Sequence, residues 1–222
     1  MTEIRAVLFD CDGLMFNTEQ VSQQMWRDEA AKYGEECSDE FFKAITGAKD
    51  GIDLLHFSKE TPHIKEIMEV MHKKRFDLEF WKSFYPDGLN KKGLVELVQY
   101  LHEKDIRIAV CSSSHYSYVK TLLDTVTCDL GFDAIVGGDM VLHGKPAPDI
   151  FLLGAKTLNV KPEECLVLED SKQGIIAADN AHMHSVFIKD TITPDEEMKK
   201  YLDYEEEDLG KVITLIEEEF RK

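Results

Sequence analysis

The chain has 222 residues, with 26 Lys plus Arg against 43 Asp plus Glu, 43% apolar residues, 13 Gly and 6 Pro. Collagen-like and wholly disordered chains are excluded, and one large domain or two small ones can be built around a sizeable core. A formal net charge of −17 repels nucleic acid and anionic membrane surfaces at long range, and no Lys/Arg-rich run offsets it, so neither is expected as a partner.

The first apolar run, residues 4–9, is stopped by Asp10 and is too short for a signal-peptide core. No later stretch approaches the ~18 apolar residues of a membrane span. The five cysteines, Cys11, Cys37, Cys111, Cys128 and Cys165, are odd in number and form no C-x-x-C pair, which argues against a disulfide framework or a zinc site and predicts a reduced, cytoplasmic protein. Further short runs rich in Val, Ile and Leu follow at 106–111, 134–136, 165–168 and 186–188. Continuous rather than alternating apolar runs predict strands covered on both faces. Leu94, Leu97, Val98 and Leu101, then Val119, Leu122, Leu123 and Val126, and then Ile150, Phe151 and residues 153–158, predict helices between them. That alternation implies an α/β protein with a parallel sheet and right-handed crossovers.

Between the first two strands lies a long stretch with helix signals only. Val21, Met25 and Ala30 make one apolar face closed by Gly34, and Thr61-Pro62 reads as an N-cap with Pro at N1 before Ile64, Ile67, Met68 and Met71. Met68, Met71, Phe76, Phe80 and Trp81 predict a small helical core. Residues 18–85 are therefore assigned to a helical insert, with 1–17 and 86–222 forming a discontinuous α/β domain and residues 85–88, Tyr-Pro-Asp-Gly, as the return hinge. The acidic clusters 205–208 and 217–219 are expected on solvated helix faces.

Ligands of an open parallel sheet sit beyond the carboxyl ends of its strands. There the chain reads Asp10-Cys11-Asp12-Gly13, Cys111-Ser112-Ser113 and Glu169-Asp170-Ser171, with His143-Gly144-Lys145-Pro146 ahead of the fourth strand. Any one of these residues alone is a plausible turn former or helix cap. Together they gather four acidic groups, a hydroxyl and a lysine at one edge, and two like charges ~4 Å apart repel by ~4 kcal/mol at an effective dielectric near 20. A divalent cation relieves that repulsion, and an all-oxygen donor set favours Mg²⁺ over zinc. Asp10 and Asp12 stand two apart, so in an extended chain one can attack while the other moves protons, a division suited to phosphoryl transfer through an aspartyl-phosphate.

These four segments, in this order, resemble the four motifs of the haloacid dehalogenase superfamily of phosphohydrolases. Residues 9–14, Thr18-Glu19, Pro86-Asp87-Gly88, residues 145–149 and Glu169-Asp170-Ser171 with Gly174 resemble its beta-phosphoglucomutase-like branch. The resemblance implies a doubly wound, Rossmann-like parallel-sheet core with the insert as a helical cap. It implies Asp10 as nucleophile, Asp12 as general acid/base, and Mg²⁺ held by Asp10, the Asp12 carbonyl and Asp170, with Glu169 directly or through water. Ser112 and Lys145 would hold phosphoryl oxygens, with Ser113, His115 and Tyr116 as further substrate-binding positions. The mutase of this branch carries a cap His four residues beyond its hinge Thr, where this chain has Ser22, and a cap Arg after a Gly, where this chain has Gly47-Ala48-Lys49. Hydrolysis of a small phosphorylated metabolite, a sugar or polyol phosphate, by a monomer is therefore the expected function, with a phosphosugar mutase as the alternative and a non-enzymatic phosphoacceptor module as a remote one. Cys11 is expected as a packed strand residue, His182 and His184 as surface groups, and His182 stands where the branch usually has Gly.

Overall fold

A computed structural model of the chain describes residues 3–45, 54–84, 89–126, 128–189 and 192–220. The apolar runs form β1 (Ala6–Phe9), β2 (Arg107–Cys111), β3 (Ala134–Val136), β4 (Cys165–Glu169) and β5 (His184–Ile188). Every neighbouring pair is parallel, in the order β3-β2-β1-β4-β5. A sixth strand, β6 (Tyr204–Glu206), joins the β5 edge with Glu205 opposite Phe187 and Glu206 opposite Ile188. Residues 204–206 are thus strand, not the solvated helix face expected for the 205–208 cluster. An edge strand needs one partner only and can leave its side chains in water, so its acidic composition hid it.

Successive strand residues divide between two cores. Val7, Phe9, Ile108, Val110, Leu166 and Leu168 enter one buried cluster, whereas Ala6, Leu8, Ala109, Cys111, Cys165 and Val167 enter the other. Residues i and i+1 point to opposite faces, so only an uninterrupted apolar run can satisfy both. The first face is covered by α5 (Leu94–Glu103), α6 (Tyr116–Leu123) and α9 (Lys211–Glu219), and the second by α7 (Asp149–Leu158) and α8 (Lys172–Asn180). The 217–219 cluster does lie on a helix, α9. The starts of α5 and α9 meet at Gly93, whose φ of +85° and 2.0 Å separation between an added Cβ and Gly210 N leave no room for a side chain.

The insert contains α1 (Thr18–Ala31), α2 (Asp39–Ile45), α3 (Ile64–Arg75) and α4 (Leu78–Phe84), with a 3₁₀ turn at Leu54–Lys59. Gly34, at φ +73°, follows the end of α1. Thr61 does not cap α3: its hydroxyl donates to the Glu36 carbonyl at 3.1 Å, and the helix begins at Ile64 after a turn. A long-range partner thus replaces the local cap. Met71 and Trp81 are buried as expected, but Phe76 is half-exposed, edge-on to Tyr118 of α6. The insert's apolar residues, among them Met25, Trp26, Phe41, Ile67 and Trp81, run into the first sheet cluster without a break. Buried Glu29 ties α1 to α3, accepting from Lys32 at 2.7 Å and from Lys74. Lys49 and the hinge at 85–88 lie outside the described residues. Among the described residues no helix is long and apolar enough to cross a membrane.

Candidate active site

Chain direction across the sheet reverses at β1 and β4: from β1 the order runs outward through β2 to β3, and from β4 outward through β5 to β6. At such a switch point the loops leaving adjacent strands diverge and open a crevice beyond their carboxyl ends. Asp10 follows β1, Ser112 follows β2, and Glu169 and Asp170 stand at the end of β4. Four positions separated by up to 160 residues in sequence are thereby placed on one rim by strand register alone, with Phe9 beside Val110 and Leu168.

Asp10, Glu169 and Asp170 each offer a carboxylate oxygen, all within 4.8 Å of one another. Lys145, brought in by the loop before α7, donates through Nζ to Asp10, to Glu169 Oε1 at 2.6 Å and to the Cys111 carbonyl at 3.1 Å. Glu169 is fully buried. Its Oε2 accepts from the Asp170 and Ser171 amides at 3.1 and 3.0 Å and from the Ser171 hydroxyl at 2.8 Å. Ser171 in turn caps α8, accepting from the Gly174 amide at 3.0 Å. Burial pushes the Asp10 carboxyl up, to about 7; the Lys145 ammonium opposes that rise and the Glu169 charge adds to it. Burial lowers the Lys145 ammonium, but its two carboxylate partners outweigh that and hold it above the usual lysine range.

Three carboxylates against one ammonium leave this cluster negative, and its donors are hard oxygens. The set fits a Mg²⁺ ion. Asp12 is not part of that triangle. Its carboxylate accepts from Thr18 Oγ1 at 2.9 Å, Tyr118 OH at 3.1 Å and Ser114 Oγ at 2.7 Å. Burial, and then the Asp12 charge, raise the Tyr118 phenol well above its ordinary value, which keeps it a proton donor. Sequence reasoning gave none of these three hydroxyls a site role, although Thr18 was among the residues that carry the resemblance. The signals available were the position of Ser114 in a Ser run, of Thr18 at the hinge, and of Tyr118 four residues before Leu122 on the same apolar face of α6.

The remaining predicted residues make their hydrogen bonds to other groups. Ser112 is buried, and its hydroxyl accepts from the Ser114 amide at 3.1 Å. Ser113 and His115 line a cavity of about 310 Å³ together with Asp139, Val141, Leu142 and Gly144. His115 is the N-cap of α6, its ring accepting from the Ser117 amide, and its other nitrogen lies 3.4 Å from Asp139. Tyr116 is 41% exposed, and its backbone amide donates to Asp139 at 2.7 Å. Cys11 is fully buried as expected, but it lies two residues beyond the end of β1 and not within the strand. His182 has φ +57°, the left-handed conformation that accounts for a glycine being natural there, and His184 pairs with Asp203 at 3.6 Å.

The haloacid dehalogenase-like hydrolase family matches residues 7–188. A phosphorylated carbohydrates phosphatase of Thermotoga maritima is 32% identical over 83% of this chain and 84% of its own length. A beta-phosphoglucomutase of Bacillus subtilis is 32% identical over 82% of each. A solved Thermotoga maritima structure described as a beta-phosphoglucomutase superposes with a TM-score of 0.80, covering 97% of this chain and all of the other, at 24% identity, and shares the fold. The chain belongs to the haloacid dehalogenase-like hydrolases.

Proposed function

We propose that this hydrolase is a Mg²⁺-dependent phosphatase of small phosphorylated metabolites, with sugar or polyol phosphates as the substrate class. The observation that carries the reading is the Asp10 carboxylate, buried at the end of β1 between Lys145 and two further carboxylates, with a second carboxylate, Asp12, held two residues away. The names of the relatives from Thermotoga maritima and Bacillus subtilis support phosphorylated carbohydrates as the substrate class.

Asp10, Glu169, Asp170 and the Asp12 carbonyl would hold Mg²⁺, which when bound supplies charge neutralisation to the attacking carboxylate and the phosphoryl oxygens. Asp10 attacks phosphorus, forming an acyl-phosphate bond as the bond to the ester oxygen breaks. Asp12, protonated, gives its proton to that leaving oxygen. The Asp12 carboxylate then takes a proton from water as the water oxygen attacks phosphorus, releasing Asp10 and inorganic phosphate and restoring the acid. Lys145 offsets the repulsion between the Asp10 carboxylate and the phosphate dianion, which is about a thousandfold in rate for each ~4 kcal/mol. Ser112 contributes a phosphoryl-oxygen donor beside it. The insert acts as a cap that excludes bulk water and selects the organic part of the substrate.

A screen of sugar, polyol and nucleotide monophosphates tests this, with Asp10→Asn as the blank. Turnover that EDTA abolishes and Mg²⁺ restores is expected, and equal rates for Asp10→Asn and wild type would remove the nucleophile. The Bacillus subtilis relative gives a mutase reading some weight. Release of inorganic phosphate with no dependence on a sugar bisphosphate excludes it, as Ser22 in place of the cap histidine leads us to expect.

A further inference from the structure

All three hydroxyls on Asp12 are tied to the helical insert: Thr18 opens α1, and the other two, Ser114 and Tyr118, are held by insert side chains. Tyr118 belongs to α6 of the sheet domain, yet its ring lies among insert side chains, with Trp81 and Phe76 edge-on at centroid separations of 5.9 and 6.4 Å. Arg75, the last residue of α3, sets its guanidinium carbon 4.5 Å from the Tyr118 ring centroid. The same guanidinium donates through Nη2 to Ser114 Oγ at 3.2 Å. Ser114 and Tyr118 then donate to opposite oxygens of Asp12, Oδ2 and Oδ1. One cationic side chain of the insert thus bears on two of the three residues that fix the plane of this carboxylate, the third being Thr18 on Oδ1.

Packing does not account for the phenol. Phenylalanine would fill the same volume and keep the contacts to Phe76, Trp81 and Arg75, whereas the hydroxyl, 5% exposed with its residue, donates to Asp12. We infer that Tyr118 is a positioning residue for proton transfer by Asp12, and that Arg75 seats it, so that the acid is aligned only while the insert packs against α6. The inference rests on the phosphatase reading above. A carboxyl group free to rotate presents its proton to the ester oxygen for a fraction of the time, and one pinned on both oxygens presents it continuously. The hydroxyls still have acceptor sites when Asp12 carries its proton, because each remaining lone pair can take a donor.

Alignment of the acid matters in proportion to the basicity of the leaving oxygen. An alkoxide leaves only with a proton, whereas p-nitrophenolate leaves without one, and kcat/KM reports the first phosphoryl transfer alone. The test compares kcat/KM on p-nitrophenyl phosphate with that on the best alkyl phosphate of the panel for the Mg²⁺-loaded wild type, Tyr118→Phe, Arg75→Gln and Arg75→Lys. The alkyl-to-aryl ratio is expected to fall about tenfold in Tyr118→Phe, a fraction of the ~100-fold or more that general acid catalysis supplies. It should fall several-fold in Arg75→Gln, and Arg75→Lys should recover part of it. Equal falls on both esters, or an unchanged ratio in an active enzyme, would overturn the inference alone. No turnover of either ester by wild type would sink the phosphatase reading and this inference with it.

Discussion

Gly174 sits in the first turn of α8 directly over the Glu169 carboxylate. A Cβ there would stand 1.8 Å from Glu169 Cδ and Oε1 and 2.3 Å from Oε2. No adjustment of a few tenths of an ångström relieves such an overlap, so Gly174→Ala must drive the carboxylate out of its fully buried place. Glu169 then loses at least two of its bonds to the Asp170 amide, the Ser171 amide and hydroxyl, and Lys145. At about 1.5–3 kcal/mol for each hydrogen bond to a charged group, that is a loss of about 3–6 kcal/mol. Helix propensity returns at most about 1 kcal/mol for Gly to Ala, leaving a net cost of about 2–5 kcal/mol. For a chain of this length, about 2–4 °C per kcal/mol translates that into a fall in Tm of roughly 4–20 °C. Thermal unfolding in EDTA and across a Mg²⁺ titration checks it. The fall should appear without metal, and Mg²⁺ should raise the Tm of the variant less than that of wild type, because one of the three carboxylates has moved. A variant as stable as wild type, with the same response to Mg²⁺, would refute the claim that this glycine exists to admit Glu169.

Lys145→Met removes the buried ammonium between Asp10 and Glu169 and leaves two carboxylates facing each other. Breaking a buried pair this way costs about 3–5 kcal/mol, so thermal unfolding in EDTA should show a large loss, with Mg²⁺ restoring more of it than Mg²⁺ adds to wild type. Glu29 gives an acid limb to the stability of the insert. Burial alone would raise its carboxyl, but hydrogen bonds from Lys32 and Lys74 outweigh that and hold it below the usual carboxylate value. Because the folded pKa lies below the unfolded one, its stabilisation is fully present above the unfolded pKa, near 4.5, and is lost as pH falls through the folded pKa. Glu29→Gln should therefore destabilise at neutral pH by about 1–2 kcal/mol and flatten the decline between pH 5 and pH 3, as measured by urea unfolding across that range. A decline as steep in the variant as in wild type would assign the acid sensitivity elsewhere.

Much of the site was legible because strand ends carry their own punctuation. An apolar run that stops at Asp10, at Ser112 or at Glu169 announces both a strand and the residue beyond it, and parallel strands covered on both faces admit few topologies. Lys145 was legible from its Gly-Lys-Pro setting but not its partners, since the two carboxylates it touches lie 135 and 24 residues away in the chain. β6 escaped because an edge strand can be acidic and short. The cap at Thr61 was misplaced because a hydroxyl that could close a helix locally instead found the Glu36 carbonyl 25 residues away.

Local chemistry along the chain determined the sheet, the helical insert, the four strand-end motifs and hence the family, since hydrophobic periodicity and turn residues act over a few neighbours. Only the folded arrangement decided that Asp12 is held by Thr18, Ser114 and Tyr118 while Asp10, Glu169 and Asp170 converge elsewhere, and that Arg75 reaches across from α3. Those contacts depend on how the insert packs against α6. Side-chain volumes summed over the whole interface set that packing, and no window of sequence contains it.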